Sequence, residues 1–284
     1  LTRSLLTEGS CDASYQLAGK ARFRVNIFSQ KGCYSIVMRQ LATRVPTISD
    51  LNLPPAFSRM HEEKNGIILV TGATGSGKTT SLAALLNDIN EMKSVHVITL
   101  EDPVEYVHPQ KKATFNQREL GMDFDAFASG LRAALRQAPK VVLVGEMRDL
   151  ETVQLALTAS ETGLLVLGTL HTASAHKTVD RIIDVFPNFQ QAQIRAVLSE
   201  SLRGVVSQRL LRRADGGGRI AAVEVMITNQ AIQNQIREGK THQIPTVLQT
   251  GKASGMQTME DHIRALAQQG VVDREEAAAQ LDER

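Results

Sequence analysis

Gly72-Ala73-Thr74-Gly75-Ser76-Gly77-Lys78-Thr79 has the spacing G-x-x-x-x-G-K-[ST]. That pattern suits the gripping of a polyphosphate. Such a group carries several negative charges, and backbone N–H groups are the donors that can surround it closely. Glycines let the backbone approach and take dihedrals that a Cβ forbids. The amides of Thr74, Gly75, Ser76, Gly77, Lys78 and Thr79, with Thr80 next to them, are expected to turn inward at a helix N-terminus, where negative charge is favoured. Lys78 would contact the β- and γ-phosphates, and the Thr79 hydroxyl would bind Mg2+. A Gly-rich turn can match this spacing by accident. Here the motif follows an apolar run at 67–70 and precedes Leu82, Leu85, Leu86 and Ile89 at helical spacing. That is the strand–loop–helix context the motif requires.

Other polar residues end other apolar runs. The run at 95–100 leads into Glu101-Asp102-Pro103, with Glu105 close behind; 141–144 leads into Gly145-Glu146; 164–167 continues through Gly168-Thr169-Leu170 to His171. Ligands of open parallel sheets sit beyond the carboxyl ends of the strands, so a phosphate loop, two acids and a histidine are expected on one edge. Phosphoryl transfer to water needs a metal ion and an oriented nucleophile. Glu146, an acid after an apolar strand, is assigned to the Mg2+ side, which leaves Glu101 as the base; the exchange of these roles stays open. His171 fits a γ-phosphate sensor, against the plain alternative of a structural hydrogen-bonder. Asp102 can simply shape the turn at Pro103, and Glu105 carries less signal. Arg24 and Arg39 lie far from these motifs, and their pattern alone favours a solvated strand face. A hydrolysing site gains ~10³ to 10⁵ in rate from an arginine finger, which a ring of subunits can supply in trans.

The elements that must position these groups are legible in outline. Residues 1–45 read as a small β-rich module, with alternating patterns at 22–28 and 35–41 and a hairpin turn at Gln30-Lys31-Gly32. Residues 46–65, with Pro46, Pro54 and Pro55, read as a linker holding one short helix. Gly66 opens the main domain, 66–284. Its strands are continuously apolar rather than alternating, as in a parallel sheet covered by helices on both faces. Phe124, Phe127, Leu131 and Leu135 read as a helix capped by Asp123. From about 190 the pattern turns helical, with Ile194, Val197, Leu198, Leu202, Val205 and Val206 in one stripe. A turn at 215–218 leads into a strand at 219–225, and the remainder reads mostly as helix.

Composition narrows the classes. The 284 residues suit roughly two domains, and 42% hydrophobic with 22% charged residues excludes a disordered chain. Lys+Arg 32 against Asp+Glu 30 gives a formal net charge of +2, which offers nothing to a bulk nucleic-acid binder. Aromatics at 4% and the absence of Trp argue against a base-stacking track. Two cysteines, Cys11 and Cys33, cannot build a four-cysteine zinc site or a disulfide framework, so a reducing, cytoplasmic setting and no zinc are expected. No apolar stretch approaches the ~18 residues of a membrane span, and the first residues do not read as a signal peptide.

Four ordered boxes then resemble a known family. The loop at 72–80, the acidic box Ile98-Thr99-Leu100-Glu101-Asp102-Pro103-Val104-Glu105, the stretch Val144-Gly145-Glu146-Met147-Arg148-Asp149-Leu150-Glu151-Thr152 and Gly168-Thr169-Leu170-His171-Thr172 are similar to the Walker A, Asp, Walker B and His boxes of the type II/IV secretion ATPase superfamily. Within it the likeness is to the PilT-type pilus retraction (twitching motility) ATPases, and it extends to Arg22-Phe23-Arg24-Val25-Asn26, 240–251 and 255–259. The resemblance implies a partial PAS-like α+β amino-terminal domain, a linker, and a RecA-like P-loop ATPase domain with a helical carboxyl-terminal part. It implies ATP and Mg2+ as ligands and a homohexameric ring at the cytoplasmic base of the pilus, peripheral to the inner membrane. The expected partners are the inner-membrane platform protein and, indirectly, the pilin fibre. It also places Arg24 and Arg39 over the phosphates, reversing the pattern-based reading. Three departures stand out: Gln233 and Gln235 in the family retraction motif, Lys140 where an acid is usual before Walker B, and a family amino-terminal domain that begins before Leu1, so that a truncated chain is expected. The alternatives are an accessory retraction ATPase, a pilus-assembly or type II secretion ATPase, a nucleic-acid motor, a small-molecule kinase and a nucleotide-gated scaffold.

Overall fold

In the computed structural model, which describes residues 2–282, the chain begins with a short helix, α1 (Thr2–Glu8), and three strands, β1 (Ser10–Leu17), β2 (Ala21–Gln30) and β3 (Cys33–Gln40). These strands form an antiparallel sheet in the order β1-β2-β3. The β2–β3 turn consists of Lys31 and Gly32, with φ of 47° and 74°; such a turn matches the right-handed twist of the strands. The connection that follows holds α2 (Pro55–Arg59). Its Phe57 is fully buried and anchors the segment to the main core.

The larger body alternates strand and helix: β4 (Gly66–Thr71), α3 (Lys78–Met92), β5 (His96–Glu101), β6 (Thr114–Glu119), α4 (Phe127–Ala134), β7 (Val141–Val144), α5 (Leu150–Glu161), β8 (Leu165–Leu170), α6 (Ala175–Asp184) and α7 (Asn188–Ser201). It then gives a hairpin, β9 (Leu202–Arg212) and β10 (Arg219–Ile227), and closes with α8 (Gln230–Arg237), α9 (Ile244–Thr250), α10 (Met259–Gln268) and α11 (Arg274–Asp282). The seven strands lie in the order β10-β9-β4-β8-β7-β5-β6. All neighbours are parallel except β9 and β10.

Continuous hydrophobicity has its physical cause in β4. Ile67 and Leu69 point into one cluster with α5 and α6 residues, whereas Ile68 and Val70 point into another with Leu82, Leu85 and Ile89 of α3. Each face of the strand is buried, so 67–70 are all apolar, and the one polar side chain, Thr71 at the strand end, is hydrogen-bonded to Ser207. A third cluster joins the β9–β10 hairpin to α10 and α11 through Leu211, Ile220, Ile263 and Leu266. Among the described residues no helix is long and apolar enough to cross a membrane.

Three sequence expectations need correction. Leu202, Val205 and Val206 do not continue the helical stripe; α7 stops at Ser201, and these residues belong to β9, beside β4. The first part of β9 is buried on both faces and carries apolar residues on each, so Leu202, Val205 and Val206 also satisfy an i, i+3, i+4 count. The chain from about 190 is therefore helix, hairpin and then helix; the second hairpin strand lies where the sequence placed it, at 219–225, and the first was read as helix. Asp123 does not cap the helix, because α4 begins at Phe127 after Ala126. Its carboxylate instead accepts the Glu119 N–H at 2.8 Å. Finally, β1 and β6 escaped the pattern reading, since SCDASYQL and TFNQRE carry few apolar residues.

Candidate active site

β4 ends at Thr71, and the phosphate loop follows. Gly72, Gly75 and Gly77 have φ of 143°, 78° and 88°, values that L side chains rarely adopt. Gly72 also has no room: a Cβ there would stand 2.4 Å from the Gln208 carbonyl oxygen and 2.6 Å from Ser76 Oγ. The loop is thus pressed against β9. Gln208, 2% exposed, donates its side-chain amide to the Ser76 carbonyl, while Thr71 and Ser207 share a hydroxyl–hydroxyl bond of 2.9 Å. Ser76 Oγ and Gln208 Oε1 are buried without a protein partner, a polar lining that suits a ligand. Thr74 and Gly75 form the exposed crest of the loop, and Thr79 and Thr80, partly buried, lie in the first turn of α3.

Lys78 opens α3, and its ammonium donates to the Gly72 and Ala73 carbonyls at 2.9 and 3.0 Å. Burial lowers its pKa, and the neighbouring Glu146 carboxylate works against that shift. Glu146 follows β7 and receives His171 Nε2 at 2.9 Å, with Arg148 as a second ion-pair partner. His171 follows β8, which separates β4 from β7. Lys78, Glu146 and His171 therefore meet at the carboxyl edge.

Glu101 stands at the end of β5, next to β7, and is 6% exposed. Desolvation pushes its carboxyl up to about 7, although Thr99 and Gln117 hydrogen bonds pull the other way. Asp102 is exposed and lies in the field of Arg148. Glu105 is also raised by burial, and Arg24 and Arg39 offset part of that. These two arginines are direct cross-strand partners on β2 and β3. Like charges at such a position repel, and the carboxylate they share is Glu105 of the same chain. Ser14 of β1 adds a second tie, donating to Glu119 Oε1 of β6 at 2.6 Å.

Several site neighbours carried no motif. Gln117 joins Glu101 to the Tyr106 carbonyl, and the Tyr106 hydroxyl lies 3.1 Å from Thr80 Oγ1. Thr99 had a readable signal, since residues two apart on a strand share a face. Gln117 and Gln208 had none beyond being polar in a strand, and Arg148 lay inside the Walker B-like stretch without an assigned role.

A parallel sheet with a Gly-lined phosphate loop between its central strand and a helix, and with acids and a histidine on the same rim, defines a P-loop ATPase of the α/β, RecA-like class. The family model described as "Type II/IV secretion system protein" matches residues 8–279, and the chain belongs to that family. Two relatives are the "Twitching motility protein" of Neisseria gonorrhoeae, 52% identical over 94% of this chain and 71% of the relative, and the "Type IV pilus retractation ATPase PilT" of Pseudomonas aeruginosa, 50% identical over 94% and 77%. A crystal structure of the pilus retraction motor PilT with bound ADP superimposes with a TM-score of 0.92 at 47% identity, covering 98% of this chain and 79% of that one.

Proposed function

We propose that the chain is a motor subunit that hydrolyses ATP to power retraction of a type IV pilus. The observation that carries the hydrolysis is the meeting of Lys78, Glu146 and His171 beside the phosphate loop, with Glu101 buried on the same rim. The retraction assignment rests on the likeness to the Pseudomonas aeruginosa relative and to the solved motor, both of which are named for pilus retraction, and the Neisseria relative is named for twitching motility.

The loop amides at 74–79, with Thr80 beside them, hold the phosphates, and Lys78 exchanges its carbonyl partners for phosphate oxygens. A cleft of about 340 Å3, bordered by Asn52, Thr80, Gln208, Leu210 and Ile220, gives the nucleoside a place next to the loop. Among the described residues no group of three or more His, Cys, Asp and Glu could cage a metal. That suits Mg2+, which takes one or two protein oxygens and completes its shell with phosphates and water. Thr79 and Glu146 would supply those oxygens. When bound, Mg2+ neutralises charge on the β- and γ-phosphates. Glu101, with a carboxyl near 7, is suited to accept the proton of the attacking water; the new O–P bond forms as the β,γ-bridge breaks and ADP leaves. His171 reports on the γ-phosphate through Glu146, and Arg24 and Arg39 supply cationic charge over the phosphates.

In the same reading, residues 1–45 are a partial PAS-like domain, 46–65 a linker and 66–284 the ATPase domain. Six copies form a ring on the cytoplasmic side of the inner membrane, against the platform protein, without zinc or nucleic acid. The test is hydrodynamic sizing with a nonhydrolysable ATP analogue, paired with complementation of cells lacking their retraction ATPase. A six-subunit species that restores twitching is the expected result. A monomer at every concentration would leave only a nucleotidase.

A further inference from the structure

The register of β5 and β6 places four polar side chains on one face. Thr99 is opposite Gln117, and Glu101 is opposite Glu119; positions two apart on each strand share that face. Two of these residues serve the Glu101 carboxylate. Thr99 Oγ1 donates to Glu101 Oε1 at 2.6 Å, and Gln117 Nε2 donates to the same oxygen at 3.1 Å. Both side-chain donors converge on Oε1, and the Glu105 backbone N–H is a further donor to the carboxylate. Thr99 is fully buried, so its hydroxyl has no water to bond instead. Gln117 is itself fixed: its amide also donates to the Tyr106 carbonyl at 2.8 Å, and its Oε1 accepts the His108 N–H at 2.8 Å. A side-chain amide with these three contacts is clamped in one orientation.

We propose that Thr99 and Gln117 are positioning residues that tie down Oε1 of Glu101 and leave Oε2 to take the proton of the attacking water. The assignment rests on the reading of Glu101 as the base. Its physical content is a divided carboxylate. One oxygen is spent on the two side-chain donors, and the other is left free of both. The remaining charged groups around it are Glu105 on the following loop, Glu119 across the strand pair, Asp102, Glu146 and Arg148 at the adjoining strand end, and Arg24 and Arg39 facing Glu105. None of these donates a side-chain hydrogen bond to Oε1. Gln117 has a second branch through Tyr106 to Thr80, so Thr99 is the cleaner probe.

Hydrogen bonds to the charged form of a carboxyl favour that form. Removing either donor therefore raises the pH at which Glu101 loses its proton, and the acid limb of the turnover profile moves up. The experiment records kcat against pH for the full chain and for Thr99→Val, Gln117→Leu, Thr99→Ser and Glu101→Gln. Thr99→Val keeps the shape of the side chain, and melting curves check that each variant folds. Expected are acid limbs displaced upward by about one pH unit in Thr99→Val and Gln117→Leu, with turnover down roughly fivefold at pH 7 and KM unchanged. Thr99→Ser, which retains the hydroxyl, restores the original limb, and Glu101→Gln loses turnover. Acid limbs of Thr99→Val and Gln117→Leu that coincide with the unmodified chain, while Glu101→Gln is inactive, overturn the positioning role and leave the base in place. Turnover surviving in Glu101→Gln removes the base and the positioning role together.

Discussion

Glu101 and Glu146 stand on one rim in opposite surroundings. Glu146 is partly exposed and faces cations, with His171 and Arg148 both on Oε1 and the Lys78 ammonium nearby. Glu101 is buried and faces neutral donors, and desolvation raises its carboxyl from 4.5 to about 7. A raised carboxyl has a stability consequence of definite sign. The folded state binds this proton more tightly than the unfolded chain does. The resulting stabilisation is complete below about pH 4.5 and is lost as the pH climbs through about 7. At pH 8 the ionised carboxylate is a net cost that a neutral amide avoids. Glu101→Gln is therefore expected to melt higher than the unmodified chain at pH 8, by a margin on the order of 1–3 kcal/mol. The margin should shrink as the pH is lowered to 5, while turnover is lost throughout. Equal melting temperatures at both pH values would mean that Glu101 is not desolvated in solution. The sequence offered both acids as strand-end residues and left their roles exchangeable. It could not separate them, because the difference lies in what Thr99, Gln117, His171 and Arg148 place around them.

The strands decide where those residues can stand. The runs at 67–70, 95–100, 141–144 and 164–167 announced the central strands, since burial on both faces favours apolar residues and admits a polar one only with a partner, as at Thr99. The same rule hid β9, whose apolar positions also satisfy a helical count. It hid β6 for the opposite reason: TFNQRE spends its polar side chains on the site and on the amino-terminal sheet. Functional strands at a sheet edge are thus the least readable elements of this fold. The phosphate loop was readable because its glycines answer a backbone requirement rather than a packing one. Gly72 meets two such requirements, a φ of 143° and a neighbouring carbonyl at 2.4 Å from any Cβ. Backbone strain of this kind costs about 1–3 kcal/mol. Gly72→Ala should weaken ATP binding by about tenfold or more while far-UV circular dichroism stays unchanged, since β4 and α3 are held by their own clusters. Undiminished affinity in a nucleotide titration would show that the close approach of loop and β9 is not needed for the grip.

At the scale of the whole molecule the question is which site the arginines serve. Sequence position left Arg24 and Arg39 without any partner, and a ring geometry offered the neighbouring subunit. The fold gives them one within the chain. They sit side by side across β2 and β3, and Glu105, four residues beyond the end of β5, is the acid whose charge they offset. Ser14 and Glu119 fasten the same sheet to β6 at 2.6 Å. A paired cationic unit held by a single carboxylate has charge to spare, and a bound triphosphate on the adjoining rim is the stronger anion. If the arginines serve the phosphates, the contact with Glu105 places them beside the rim of their own chain. On this geometry Arg24→Ala subunits mixed into unmodified rings should lower ATP turnover in direct proportion to their fraction, because each defect stays within the subunit that carries it. Loss in excess of that proportion would mean that the arginines act on a neighbour, and that the contact with Glu105 belongs to a resting arrangement which the working ring gives up.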